Sequence, residues 1–269
     1  MKNATISAVV AVKNEEKNIK RCLESVRWVD EIILVDSNSS DSTFEIAKEY
    51  WPKVRVYQYK KKDYLIEEKK NFGIKKATKE WILIIDADEE VTPVLKKEII
   101  KKINTTNFDA FNVYFQNYAF NRFLKGSYWK DMPIIRLFKR GKGIYKSIQP
   151  HSLLAVNGKI GYLEGYINHY TFRNTMEFLA KTDKYTSLST PFIIKHNKGG
   201  ILNRQKIRIN FYSCYIEPLL FSSWVFFMKK MYKDYFIGLW ISLLMGYYLY
   251  LERKKVKRLK NKKWKQEYC

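Results

Sequence analysis

Cysteine and acidic side chains are the scarce groups in this chain. Its 269 residues hold 3 cysteines, Cys22, Cys214 and Cys269, scattered and without a CxxC pair. That excludes a disulfide framework and a cysteine-based zinc site, and it suits a reducing compartment. Asp and Glu number 27 against 50 Lys and Arg, a formal net charge of +23. Such an excess points to anionic partners: nucleic acid, acidic lipid headgroups or phosphorylated small molecules. The segment "VKNEEKN", after the first apolar run, has no glycine. Its absence argues against a glycine-rich phosphate loop and a nucleotidyltransferase built on one. The early run "ISAVVAV" is too short for a signal-peptide core and meets "KNEEKN" without a small-residue cleavage site, so no secretory leader is expected. No RNP, KH or zinc-finger pattern occurs, and the basic residues are dispersed, which disfavours nucleic acid as the partner.

What is present is enough apolar material for a core: 46% hydrophobic and 16% aromatic residues, in a length that suits one large domain or one domain with an appendage. The first hundred residues alternate between short, continuous apolar runs and amphipathic stretches. "TISAVVAV" predicts a strand; Ile19, Cys22, Leu23 and Val26 fall at helical spacing in a helix from about Glu16 to Trp28. "EIILVD" predicts a strand ending at Asp36, and "SNSSDST" a turn in which Asp41 or a neighbouring serine caps the next helix. "VRVYQY", "LIEEKKNFGIKKAT" and "WILIID" continue the alternation, and Thr92 and Pro93 open another helix as N-cap and first residue. The class is α/β, with a mostly parallel sheet covered on both faces. Ligands of such sheets sit beyond the carboxyl ends of the strands. Lys13 to Glu15, Asp36 and Asp86 all lie at such ends.

The densest acids of this basic chain occur in "EWILIIDADEE", where Asp86, Asp88, Glu89 and Glu90 follow an apolar run. Two carboxylates one residue apart would point to opposite sides of a strand unless the chain turns there. A turn would bring them to one rim, where a hard dication such as Mg2+ or Mn2+ takes one or two carboxylates together with phosphate oxygens.

Four segments carry a family resemblance: "AVVAVKNEEKNIKRCLESV", "EIILVDSNSSDST", "KKNFGIKKATKEWILIIDADE" and "RLFKRGKG". In this order they resemble the nucleotide-sugar half of family 2 glycosyltransferases, of the GT-A fold. "HYTFRNTMEFLAKTDKYTSL" and the apolar tail are similar to bacterial members that assemble lipopolysaccharide core and other envelope glycans. The resemblance implies an inverting, metal-dependent transfer of a hexose from a nucleotide sugar, with UDP the expected nucleotide, to a glycan or lipid-linked acceptor. It implies that Ala11, Val12, Lys13, Asn14 and Glu15 line the base and ribose, and that Asp36 accepts hydrogen bonds from them. Asp86, with Ala87 beside it, faces ribose and sugar; Asp88 ligates the metal; Lys70 and Asn71 face the donor; Arg136 meets acceptor or phosphate. Relatives usually carry an acid after the histidine of "QPHSL", whereas here Ser152 follows His151. Asp131 and His151 are therefore the expected general bases, and a degenerate, inactive member is the other reading. The processive signature QxxRW is absent, so a single addition is expected.

Blander roles stand beside these. Asp36 suits capping of its own turn. His151 and His169 suit structural histidines. Tyr114, Phe115, Tyr118, Phe120, Tyr128 and Trp129 suit the core, any exposed members being fit to stack on sugar rings.

The expected organisation is a GT-A domain over 1–200, with a nucleotide-sugar half at 1–105 and an acceptor half of mixed short strands and loops at 106–200. A helix over 174–190, followed by Pro191, closes it. A helical extension covers 201–269. There "EPLLFSSWVFFM" and the 17-residue "YFIGLWISLLMGYYLYL" precede "ERKKVKRLKNKKWK". A spanning helix needs about 20 residues, with about 17 the lower limit. The tail therefore reads as an amphipathic or re-entrant attachment to an anionic membrane surface, peripheral or monotopic, at the cytoplasmic face of the inner membrane. The competing reading is a hydrophobic hairpin packed on the domain or on a second subunit of a homo-oligomer.

Overall fold

The computed structural model describes residues 4–50, 52–60, 66–126, 133–146, 153–196, 201–202 and 209–268. Two compact units divide the chain: Met1–Asn117 with Asp131–Thr171, and Tyr118–Lys130 with Phe172–Cys269.

In the first unit the alternation is realised as β1 (Ile6–Val12), α1 (Ile19–Ser25), β2 (Glu31–Asp36), α2 (Thr43–Lys48), β3 (Val54–Gln58), α3 (Ile66–Lys76) and β4 (Trp81–Asp86). A short β5 (Glu89–Val91) and α4 (Pro93–Ile103) follow. β1 pairs in parallel with both β2 and β4, and β2 with β3. The apolar runs are continuous because both faces of these strands are covered. Val10, Leu34, Leu83 and Ile85 pack with Ile19 and Leu23 of α1 and with Leu95 and Ile99 of α4. Val9, Ile33, Val35, Ile82 and Ile84 pack on the other face with Phe72 and Ile74 of α3. Each such side chain, fully buried, contributes about 1.5–3 kcal/mol. Helix α3 lies close because residue 73 is glycine: a Cβ there would meet Val9 Cγ1 at 2.5 Å. Helix α4 starts as the sequence predicts, with the Thr92 hydroxyl accepting from the Leu95 N–H at 3.3 Å. Helix α1 is shorter than periodicity suggests, because the chain turns after Ser25, where the Trp28 indole donates to the Ser25 carbonyl.

The acceptor half departs from the expected short strands. β6 (Ala110–Ala119), β7 (Arg122–Phe123), β8 (Ile134–Lys139), β9 (Gly143–Ile144), β10 (Ala155–Val156) and β11 (Ile160–Phe172) include strands of 10 and 13 residues. Strict alternation, with Leu163 and Ile167 buried between exposed Tyr162 and Tyr166, sustains β11. The sheet order among the described residues is β3-β2-β1-β4-β8-β6-β11-β5, with β8 antiparallel to β4 and β5 antiparallel to β11. Of the aromatic group expected in the core, Tyr114, Phe115, Tyr118 and Phe120 are half-buried, while Tyr128 and Trp129 lie outside the described residues.

In the second unit, α5 (Thr175–His196) runs straight through Pro191, where the sequence reading ends it. Hydroxyls of Thr186 and Thr190 donate to carbonyls one turn back, and Ile193, beyond the proline, is buried with Val256. Packing beyond the proline thus outweighs the missing N–H. α6 (Glu217–Met228) and α7 (Tyr235–Tyr268) are joined through a short 3-10 turn at Met231–Asp234. They approach closely at Gly246, where a Cβ would meet Ser222 Oγ at 1.9 Å. Among the described residues no helix is long and apolar enough to cross a membrane.

Candidate active site

The register of the parallel strands sets the site. Val12 lies opposite Asp36, and Ala11 opposite Asp86, so the carboxyl ends of β2, β1 and β4 sit side by side. The loop after β1 is stitched to the loop after β2. The Asn14 N–H donates to Ser39 Oγ at 2.9 Å and its side-chain oxygen accepts from the Ser40 N–H at 2.9 Å, while the Glu15 N–H donates to Thr43 Oγ1 at 2.8 Å. Asn14 holds this position at φ 56°, a conformation asparagine tolerates better than most residues. Ala11 and Val12 are buried, and Lys13 and Asn14 are exposed at the rim.

Asp36 is buried and accepts from the Ser39 N–H, the Ser39 hydroxyl and the Gln58 amide. It caps its own turn, and these same bonds hold the carboxylate at the strand end.

After β4 the chain does turn, through Ala87 and Asp88, before β5 begins. Asp86 is thereby separated from Asp88 by environment. Its Oδ1 lies 2.6 Å from Lys70 Nζ, and its Oδ2 accepts from Arg136 at 3.0 Å. Arg136 also donates to Glu89, whose other oxygen accepts from the Asp86 N–H at 2.8 Å. Lys70, Glu89 and Arg136 are buried. Burial acts to raise the Asp86 pKa, but Lys70 and Arg136 outweigh it and hold the carboxyl well below the usual range. For Glu89 burial dominates over the opposing Arg136, and with Asp86 nearby its carboxyl is pushed up to about 8. Burial works against the Lys70 and Arg136 charges, yet their acid partners raise both pKa values, so both stay cationic.

Asp88 faces a different neighbour. β11 pairs with β5 so that His169 lies opposite Glu89. This brings His169 Nε2 to 3.8 Å from Asp88 Oδ2. The other ring nitrogen lies 3.1 Å from Asn117 Oδ1. In the tautomer protonated at Nδ1, that nitrogen would donate to Asn117 and leave Nε2 directed toward Asp88. The turn is anchored by the Tyr170 N–H donating to the Asp88 carbonyl at 2.8 Å and by the Tyr170 hydroxyl donating to Glu90 at 2.7 Å. Among the described residues no group of three or more His, Cys, Asp or Glu is placed to hold a metal. Mg2+ and its like usually take one or two carboxylates with the rest from phosphate and water, and Asp88 is a carboxylate of that kind.

The sequence-predicted residues Ala11 to Glu15, Asp36, Lys70, Asp86, Ala87, Asp88 and Arg136 all belong to these adjoining strand ends and the ion cluster behind them. Asn71 is directed elsewhere: its amide donates to the Tyr145 carbonyl and accepts from the Tyr145 N–H. Asp131 and His151 lie outside the described residues, as does Ser152. The sequence reading gives His169 only a structural role and Glu89 none beyond its place in the acid cluster. The only signal for His169 was its place in "NHYTF", which carries no local mark of a ligand.

Comparison with known proteins agrees with this architecture. The family model "Glycosyl transferase family 2" matches residues 7–171. The lipopolysaccharide core biosynthesis glycosyltransferase LpsC of Rhizobium meliloti is 25% identical over 250 residues, covering 90% of this chain and 85% of LpsC. An uncharacterized glycosyltransferase of Rickettsia typhi is 26% identical over 270 residues, covering 94% and 87%. The crystal structure of S. aureus TarS 1-349 superposes with a TM-score of 0.50 at 14% identity, covering 96% of this chain and 91% of that one, a likeness of fold.

Proposed function

This chain belongs to glycosyl transferase family 2, and we propose that it transfers a hexose from UDP, with inversion, to an envelope glycan or its lipid-linked precursor. That it is a glycosyltransferase follows from the family match; the nucleotide, metal and acceptor are our reading. The observation that carries it is the 3.8 Å approach of Asp88 and His169 at the rim shared with Asp36 and Asp86. The named role of LpsC in lipopolysaccharide core biosynthesis supports an envelope acceptor.

In this reading Ala11 to Glu15 and Asp36 line the base and ribose, with the Asp36 carboxylate as acceptor. Asp88 and His169 would hold Mn2+ or Mg2+, and the imidazole favours Mn2+. A dication held there would supply positive charge for the leaving diphosphate. Lys70 and Arg136 fix Asp86 and add positive potential behind the rim. The acceptor oxygen attacks the anomeric carbon as the bond to the diphosphate oxygen breaks. Its proton goes to a general base, for which Asp131 and His151 remain the candidates.

The test is a donor screen with UDP-, GDP- and dTDP-sugars, with and without Mn2+, scored by binding and by hydrolysis. Binding of UDP-sugars that strengthens with Mn2+ is expected. Nucleotide affinity indifferent to both base and metal would overturn the donor and metal assignments.

A further inference from the structure

We infer that the α6–α7 hairpin is an interfacial anchor that lays its outer face into an anionic lipid surface without crossing it. The inference goes beyond the glycosyltransferase reading and does not depend on it, since it rests on the second unit alone.

The inner face of the hairpin is an ordinary core: Phe221, Val225, Ile241, Leu244, Met245 and Leu249 are buried together. The outer face is equally apolar and exposed. On α6 it presents Leu220, Trp224 and Phe227, and on α7 Phe236, Trp240 and Leu243, each set spaced i, i+4, i+7. The two most exposed of its large apolar side chains are at the tip, Tyr235 at 80% and Phe236 at 76%. Scattered apolar residues on a surface are normal, but exposed apolar stripes at helical spacing on two packed helices mark an interaction site.

Charge and length select the occupant. Lys229, Lys230 and Lys233 occupy the same turn as the aromatic tip. At the other end Arg253 is buried with Glu217 and Glu252, and beyond it α7 carries Lys254, Lys255, Lys257, Arg258 and Lys260. Aromatic rings flanked by lysines on an apolar helix face are the composition of a surface bound to anionic headgroups. The apolar part of α7, Tyr235 to Leu251, is 17 residues, or about 25 Å of helix against about 30 Å of hydrocarbon. The hairpin therefore suits burial to a depth of about 5–10 Å along the headgroup boundary. A protein partner with a matching apolar face would not need the lysines at both ends.

Flotation of the full-length protein with vesicles tests this. Phosphatidylcholine vesicles with and without phosphatidylglycerol are compared, at low and high salt. The wild type is expected to float with the anionic vesicles and to be partly released by salt. The variant F227S/Y235S/F236S, altered only at exposed positions, is expected to lose at least tenfold in bound fraction, with unchanged circular dichroism. A second variant, K229Q/K230Q/K233Q, should lose binding to anionic vesicles selectively. Wild type that stays in the soluble fraction with every vesicle overturns the inference. So does a stable dimer that the aromatic variant dissolves while lipid binding is absent, which would assign the face to a second copy of the chain.

Discussion

His169 Nε2 stands 3.8 Å from Asp88 Oδ2, although one residue lies in β11 and the other in the turn after β4. The antiparallel pairing of β11 with β5 creates this pair, and Asn117 lies against the other ring nitrogen, so the proposed cation site can be tested at all three residues. Replacing Asp88 or His169 with Ala should abolish Mn2+ binding measured by electron paramagnetic resonance and leave the circular dichroism spectrum intact. Asn117→Ala should weaken Mn2+ by about 10–100-fold, the usual cost of losing the partner that orients a ligand. Unchanged Mn2+ affinity in Asp88→Ala would remove the metal assignment.

Arg136 is the keystone of the buried ion cluster. Arg136→Met removes the guanidinium while Asp86 and Glu89 stay buried, and should destabilise the protein by about 3–5 kcal/mol in denaturant unfolding. Adding Glu89→Gln to it should recover little at neutral pH, because burial already favours the neutral form of that acid, so the loss falls on Asp86. A loss below about 1 kcal/mol would mean that water reaches the cluster and screens it.

Glu31 offers a pH test away from the metal site. Its Oε1 accepts from the Ser7 hydroxyl, the Thr78 N–H and the Thr78 hydroxyl at 2.6, 2.6 and 2.9 Å. Burial acts to raise its pKa, but these bonds and Arg55 outweigh it and hold the carboxyl below its ordinary value. A lowered folded-state pKa gives stability that is complete above the unfolded value of about 4.3 and lost as pH falls through the folded one. Glu31→Gln should therefore cost about 1–3 kcal/mol at neutral pH, with the difference from wild type shrinking below about pH 4. A difference that is flat with pH would show that the ionised form is not what these donors stabilise.

The general base is decided by comparing Asp131→Asn with His151→Ala. A base in this role contributes about 10²–10⁴-fold to the rate. One of the two variants should lose kcat by that amount while its affinity for UDP is retained. If neither falls by about tenfold, well short of that range, both candidates are wrong.

Much of the first unit was legible from the chain itself. Apolar runs such as "AVVAV" and "EIILVD" are strands because a parallel sheet is covered on both faces, and the acids that follow them necessarily emerge at one rim. Thr92 and Pro93 likewise announce a helix start through local bonds. What escaped depends on contacts between residues distant in sequence. The long β11 strand, the Arg136 bridge to Glu89 and the pairing of His169 with Asp88 have no local signature. Helix α5 continues past Pro191 because buried neighbours beyond it override a breaker that, read locally, ends it.

The sequence by itself determined the α/β alternation, the placing of Asp36 and Asp86 at strand ends, and the apolar-then-basic order of the tail, since these follow from short-range periodicity and composition. Tertiary structure alone decided which acid is neutralised by cations and which faces a histidine. Strand register sets those distances, and register is a property of the assembled sheet.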